Sequence, residues 1–470
     1  MTAAHRPDLV LIMTDQQRYD QVGYAGATPV RTPNLDRLAT GGVIFDNAYS
    51  ASTTCVPART SLLTGLLDHR APYPERYGLD PGFFTVPHAL RAVGYQTALI
   101  GKMHFKPIRT PHGFEHMRVA EHLNAYDFDP AEAAELDHYH DWMLGRGVGD
   151  WRLDGRDRDG LYPLDEATHP TSWVEHETAA FLSDRDGDRP LFLVVSFPHP
   201  HPPINPPEPY ASMYDPSDCH IDPDGHTANA YLPSSFRRAT EQAGAPHRRI
   251  HPGRLASHRA SLAATYGLIT HIDDAVGRIV AELDMDRTVL FFTSDHGDYA
   301  GRRGLVRKIP WIPFDDLARV PFFVTGAGVA GGRRKAELVQ SFDLAMTCLE
   351  YACVDVDFGA FDGISLAPVL GASEATLDAA RTVHCGISMH WPMVRRGPHK
   401  YLRSSWGEEV LFDVERDPGE VYNLMSLDPG RDIIGPLAEA AAERAAAGVP
   451  DLPRFDSPED TTGRVAAGSR

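Results

Sequence analysis

An α/β fold is predicted, with a large sheet-and-helix domain over residues 1–372 and a small α+β domain over 373–470. Three observations carry that reading. Continuous apolar runs, DLVLIM at Asp8–Met13, PLFLVVSF at Pro190–Phe197 and TVLFF at Thr288–Phe292, suit strands buried on both faces of a parallel sheet. Apolar residues at 262, 269, 272, 276, 279 and 283 form a helical stripe of the kind that packs on a sheet face. After DGISLAPVLG (Asp362–Gly371) the chain changes to short pieces, TVHCGISM, MVRRGPHKYLR and EEVLFDVERDPGEVYNL, which predict an antiparallel meander. An Ala-rich helix near Pro436–Ala447 and a polar tail follow. At 470 residues the chain also exceeds what one core usually supports.

Acidic residues outnumber basic ones, 64 to 45, for a net charge of -19. That balance argues against nucleic acid or an anionic membrane as the main partner, and an anionic substrate must be drawn in by a local cluster of cations. The apolar run Leu9–Met13 is too short for a signal-peptide core, and no other segment approaches a membrane span. Five cysteines at 55, 219, 348, 353 and 385 are odd in number and irregularly spaced. This speaks against a disulfide framework or a zinc knuckle and makes the cytoplasm the expected compartment.

Taken in order, the first strand ends in Thr14-Asp15-Gln16, so two oxygen-bearing side chains lie at the carboxyl edge where open α/β sheets present ligands. The plainer reading of Asp15 is a helix N-cap. Thr32–Ser50 gives a short helix, a Gly41-Gly42 stop and a second strand leading into TTCVPARTSLLTG (Thr53–Gly65). Cys55 there sits at a helix N-terminus, where backbone amides favour negative charge, and Pro57 is tolerated because its missing amide would be unpaired anyway. A buried structural thiol and an activated thiolate nucleophile are both open. A helix ending at Gly94 is followed by a TALI strand that delivers Lys102 and His104 on one face; a surface lysine and a loop histidine are the alternative. Residues 109–188, polar and rich in His and Asp, read as loops and short helices over the site. PLFLVVSF runs into PHPHPPINPP, where prolines hold His199 and His201 on extended backbone. Tyr210–Pro252 reads as an irregular insertion, a substrate-side lid. TVLFF runs into TSDHGD, a further strand end carrying Asp295 and His296, and GRRGLVRK brings Lys308. A strand in Arg319–Gly326 and a helix in Ser341–Leu349 close the α/β part.

Several of these stretches resemble one family. CVPAR followed by LTG resembles the sulfatase signature CxPxR, and GYQTALIGKMH matches the second signature GYxTxxxGKxH at its fixed positions. His201 falls on the PHxP histidine, Asp295 to Lys308 fits DHGxxxGxxGxxxK, and Asp417–Leu424 fits DPxExxNL. On these motifs the chain is similar to the sulfatases of the alkaline-phosphatase-like superfamily, near the choline sulfatase and phosphonate monoester hydrolase types.

The resemblance implies an α/β/α sandwich with a mixed central sheet, plus a small C-terminal domain with an antiparallel sheet. It implies a sulfuric ester hydrolase for a small-molecule sulfate ester, with a phosphonate monoester hydrolase or phosphodiesterase as the alternative. Cys55 is expected to be converted to formylglycine by a formylglycine-generating enzyme, its hydrate being the nucleophile. Asp15, Gln16, Asp295 and His296, with residue 55, are the implied ligands of one divalent metal: Ca²⁺ is the family's usual ion, and the imidazole makes Mn²⁺ the alternative. Arg59 is expected to hold the hydrate, and Asp295 to act as base toward it. Lys102, Lys308 and His201 would neutralise charge on the sulfuryl group, with Lys308 or His201 protonating the leaving alcohol. His104 would take the proton that lets sulfate depart. His199 resembles part of the HPHDP form of choline sulfatases. One departure is the lack of an asparagine in LLDHRAPYPERYGLDPG, which leaves Arg70, Glu75 or Arg76 as substitutes.

Overall fold

The computed structural model describes residues 6–71, 78–121, 137–148, 159–222, 229–242, 254–371, 374–386, 390–427 and 431–454. Strands β1 (Asp8–Asp15), β2 (Val43–Tyr49), β3 (Gln96–Gly101), β4 (His116–Val119), β5 (Leu191–Pro200), β6 (Thr288–Ser294), β7 (Phe322–Gly326) and β8 (Arg333–Gln340) form one sheet, ordered β4-β3-β5-β1-β6-β7-β2-β8. Only β7 runs against the others, so the sheet is mixed. Along β1 the side chains alternate between two cores, Leu9, Leu11 and Met13 entering one, Val10 and Ile12 the other. That is why the run is continuously apolar: both faces of the pleat are covered.

Helices α1 (Pro33–Thr40), α2 (Cys55–Thr64), α3 (Val86–Ala92), α4 (Pro170–Asp184), α5 (Leu255–Ala281) and α6 (Asp343–Tyr351) supply those covers. α2, α3 and α6 lie on one face, α1, α4 and α5 on the other. In α5 the predicted stripe is buried from Leu262 to Ile279, with Leu283 packed at its edge.

Two segments hold more structure than their sequence suggests. The His- and Asp-rich stretch contributes the edge strand β4, the helix His138–Gly145 and the 15-residue α4, whose first turn is capped by the His169 ring. The described part of the expected lid is anchored: Tyr210 stacks on His271 of α5, while the helix Ser234–Gln242 packs Phe236 on Trp391.

Strands β9 (Thr382–Cys385), β10 (Met393–Arg396), β11 (His399–Arg403) and β12 (Glu409–Asp413) form the antiparallel meander, ordered β12-β11-β10-β9. Val383, Leu402 and Phe412 pack with Tyr49, Phe314 and Leu338 of the large unit, while Val394, Tyr401 and Leu411 face the helix Arg431–Ala446. Lys400, fully buried, is neutralised by Asp315 and Glu420, both at 2.7 Å. The expected boundary at 372/373 falls outside the described residues.

Candidate active site

Carboxyl ends of β strands converge with the start of α2. β1 delivers Asp15 and Gln16, β6 is followed by Asp295 and His296, and β3 by Lys102. One ligand atom from each of Asp15, Cys55, Asp295 and His296 lies within 4.8 Å of the others, and all four residues are buried. α2 begins at Cys55 itself, after an extended Thr54. Pro57 is then the third residue, still among the first four whose amides have no helical partner. At the end of β3 the Lys102 N–H donates to the Ser196 carbonyl at 2.8 Å. A Cβ on Gly101 would run into that carbonyl, and Gly101 has φ 105°, which explains the glycine of the GKxH segment.

Arg59 and Lys102 brace the carboxylates. Arg59 donates to Asp295 Oδ2 at 2.9 Å, Asp15 Oδ2 at 3.1 Å, Ser196 Oγ at 2.9 Å and the Lys102 carbonyl at 2.6 Å. Lys102 Nζ meets Asp15 Oδ2 at 2.6 Å. The hydrogen bonds of Arg59 thus end on the carboxylates and their supports, rather than on residue 55. Burial works against ionised Asp15, yet Lys102, Arg59 and Lys308 outweigh it and hold the carboxyl well below its usual range. Burial and neighbouring Asp15 push Asp295 up.

Lys308 addresses the nucleophile position. Its Nζ donates to Cys55 Sγ at 2.9 Å and to His296 Nε2 at 3.2 Å. Burial and Asp15 raise the Cys55 thiol, but Lys308 and Lys102 outweigh them and bring it down to about 6. His296 Nδ1 donates to the Gly297 carbonyl at 2.9 Å, leaving Nε2 with its lone pair toward Cys55. His201 Nδ1 likewise donates to the Pro202 carbonyl at 2.8 Å; burial, then Lys308 and Lys102, hold that ring neutral. His199 is fully buried, stacks on His169 at 4.7 Å and is pulled down by burial to about 4. His104, at φ 69°, has its N–H bonded to both oxygens of buried Glu121, and its ring, lowered to about 3 by burial and Lys102, stays neutral.

The donors fit a divalent cation. Two carboxylates and an imidazole lone pair converge, and Gln16 adds a buried side-chain oxygen with no hydrogen-bond partner among the described residues. This mostly oxygen set with one nitrogen suits a hard or borderline ion. A cation bound here would take over the contact that the Lys308 ammonium makes with His296. Of the substitutes for the missing asparagine, Arg70 is bonded to Asp362, Ala360 and Gly448, and Glu75 and Arg76 lie outside the described residues. Sequence reasoning did not find Ser196, Glu121 or Asp298. Ser196 had a signal, since it is the one hydroxyl in the apolar run PLFLVVSF; Glu121, in a stretch without periodicity, had none.

The sulfatase family model matches residues 7–354. An arylsulfatase of Clostridium perfringens is 32% identical over 458 residues, covering 91% of this chain and 92% of that protein. A choline-sulfatase of Rhizobium meliloti is 29% identical, covering 89% and 82%. The multifunctional alkaline phosphatase superfamily protein PehA of Trinickia caryophylli is 31% identical, covering 89% and 91%. In fold the chain is similar to a phosphonate monoester hydrolase of Agrobacterium radiobacter, with TM-score 0.76 and 23% identity over 94% of this chain and 96% of that one. With matches that run nearly end to end, the chain belongs to the sulfatase family.

Proposed function

We propose that this protein hydrolyses a small-molecule sulfate ester to an alcohol and sulfate, with Cys55 converted to formylglycine by a formylglycine-generating enzyme. The carrying observation is that Cys55, at the first position of α2, shares a 4.8 Å cluster with Asp15, Asp295 and His296 and touches the Lys308 ammonium. A buried structural thiol needs none of those charges. A metal held by Asp15, Gln16, Asp295, His296 and residue 55 would supply Lewis-acid stabilisation of sulfuryl oxygens. Ca²⁺ is the first reading and Mn²⁺ the alternative.

The chain's own residues do the rest. Asp295, raised by burial and Asp15, is disposed to take the proton of the attacking hydroxyl. Lys102 and Arg59 keep Asp15 ionised and the pocket rigid. Burial works against the Lys308 ammonium, yet in the unmodified chain Cys55 and Asp15 outweigh it; with residue 55 a hydrate, Asp15 remains, and Lys308 neutralises charge on the transferred group and donates the proton to the leaving alcohol. His201, neutral with Nε2 unprotonated, is the weaker candidate for that donation and remains a contact for the sulfuryl group. His104, kept neutral, accepts the proton whose loss releases sulfate. Five free thiols support a cytoplasmic setting, and residues 373–470 are read as a small domain.

A second reading, phosphonate monoester or phosphodiester hydrolysis, is supported by the donor set itself, in which His296 joins Gln16 and two aspartates as in the phosphonate monoester hydrolase type that the motifs resemble. Initial rates with 4-nitrophenyl sulfate, a phenylphosphonate monoester and a phosphodiester decide between them. The highest kcat/KM should fall to the sulfate; a phosphonate or phosphodiester ahead of it would replace the first reading with the second.

A further inference from the structure

We propose that Asp298 is a positioning residue that decides which side of the Gln16 amide faces the metal position; this rests on the reading of Gln16 as a ligand. A terminal amide offers an oxygen on one side and an NH₂ on the other, and only the oxygen can hold a cation. Asp298 Oδ2 accepts from Gln16 Nε2 at 2.5 Å. An ionised carboxylate has acceptors only, so the amide nitrogen must face it. Gln16 Oε1 is thereby turned away, buried and without a hydrogen-bond partner among the described residues. The backbone of Gln16 is fixed separately, at φ 66° with its N–H on Asp295 Oδ1 at 3.0 Å. A buried bare amide oxygen is costly, and a bound cation would relieve it.

The other carboxylate oxygen is committed too. Asp298 Oδ1 accepts the backbone N–H groups of Ala300 at 2.6 Å and Arg307 at 2.9 Å. Arg307, at φ 67°, immediately precedes Lys308, whose Nζ meets Cys55. One side chain therefore sets the amide of Gln16 and pins the turn that carries Lys308. In the DHGxxxG pattern its position is unspecified, so nothing in the motif marks it.

The test uses the whole chain and a substitution pair that preserves charge. In Asp298→Asn the two backbone N–H groups keep the single acceptor oxygen, so the new NH₂ faces Gln16 and forces its amide to turn over. Titration of the metal-free protein with Mn²⁺ and with Ca²⁺, followed by calorimetry, should then show affinity lowered about 10- to 100-fold. The double variant Gln16→Glu/Asp298→Asn gives that NH₂ an acceptor and returns an oxygen to the metal position, and should recover the affinity to within about threefold of the parent. Unchanged affinity in Asp298→Asn, or a double variant no tighter than the single one, overturns the proposal. If thermal unfolding shows that Asp298→Asn alone does not fold, the double variant decides: tight binding supports the proposal and lost binding overturns it. Asp15→Asn separates the underlying reading, because undiminished metal binding there would remove the metal site itself, whatever Asp298 does.

Discussion

The two lysines of the site touch different members of the same cluster and differ in what holds them. Lys102 is 2% exposed, at the end of a strand, and spends its charge on Asp15. Lys308 is half-buried, on a turn pinned by Asp298, and points at Cys55 and His296. A cation locked against a buried carboxylate contributes a fixed field, whereas one on a loop beside the nucleophile can follow charge as it moves between reactant and leaving group. In the proposed mechanism the braced side therefore supplies the ligands and the base, and the loop side meets the leaving group.

The sharpest break of that contrast is Asp295→Ala, which strikes the braced side at the proposed ligand and base together. Turnover should fall on the order of 10³-fold or more, and bound metal, measured by elemental analysis, should fall with it. Full metal content with near-normal rate would place the chemistry elsewhere. Next is Lys308→Ala on the loop side. If Lys308 protonates the leaving oxygen, an unactivated alkyl sulfate should lose on the order of 10²- to 10⁴-fold more than 4-nitrophenyl sulfate, whose leaving group needs no proton. Equal losses for the two esters would reduce Lys308 to an anion contact. The smallest effect compares the lysines in stability. Lys102→Met leaves Asp15 buried with a lost partner and should cost about 3 kcal/mol in denaturant unfolding, while Lys308→Met should cost less than about 1 kcal/mol. Similar costs would mean that the loop side is as structural as the braced one.

Much of this was legible because strands buried on both faces leave a strong mark. The runs Asp8–Met13, Pro190–Phe197 and Thr288–Phe292 read as strands, and the polar residues after them read as a site. Edge strands leave a weaker one: β8, RRKAELVQ, alternates exposed and half-buried residues over its first half and carries charges, so it looks like a loop. α4 buries Trp173, Val174 and Phe181 but interleaves polar residues, and its histidine cap has no simple signature. The partners of Arg59 were hidden for a different reason. CVPAR fixes its distance from Cys55 along the chain, but its partners, Asp15, Asp295 and Ser196, lie on or just after three different strands far away in sequence. A local motif marks a residue as belonging to the site without telling which neighbour it holds.

The central claim, that residue 55 acts as an aldehyde hydrate within this charged cluster, is tested by the mass of the peptide containing it, taken from protein whose sulfatase turnover has been measured in the same preparation. The account predicts the mass of formylglycine in place of cysteine, in a fraction that rises in proportion to specific activity. An unmodified thiol at residue 55 in fully active protein would contradict it.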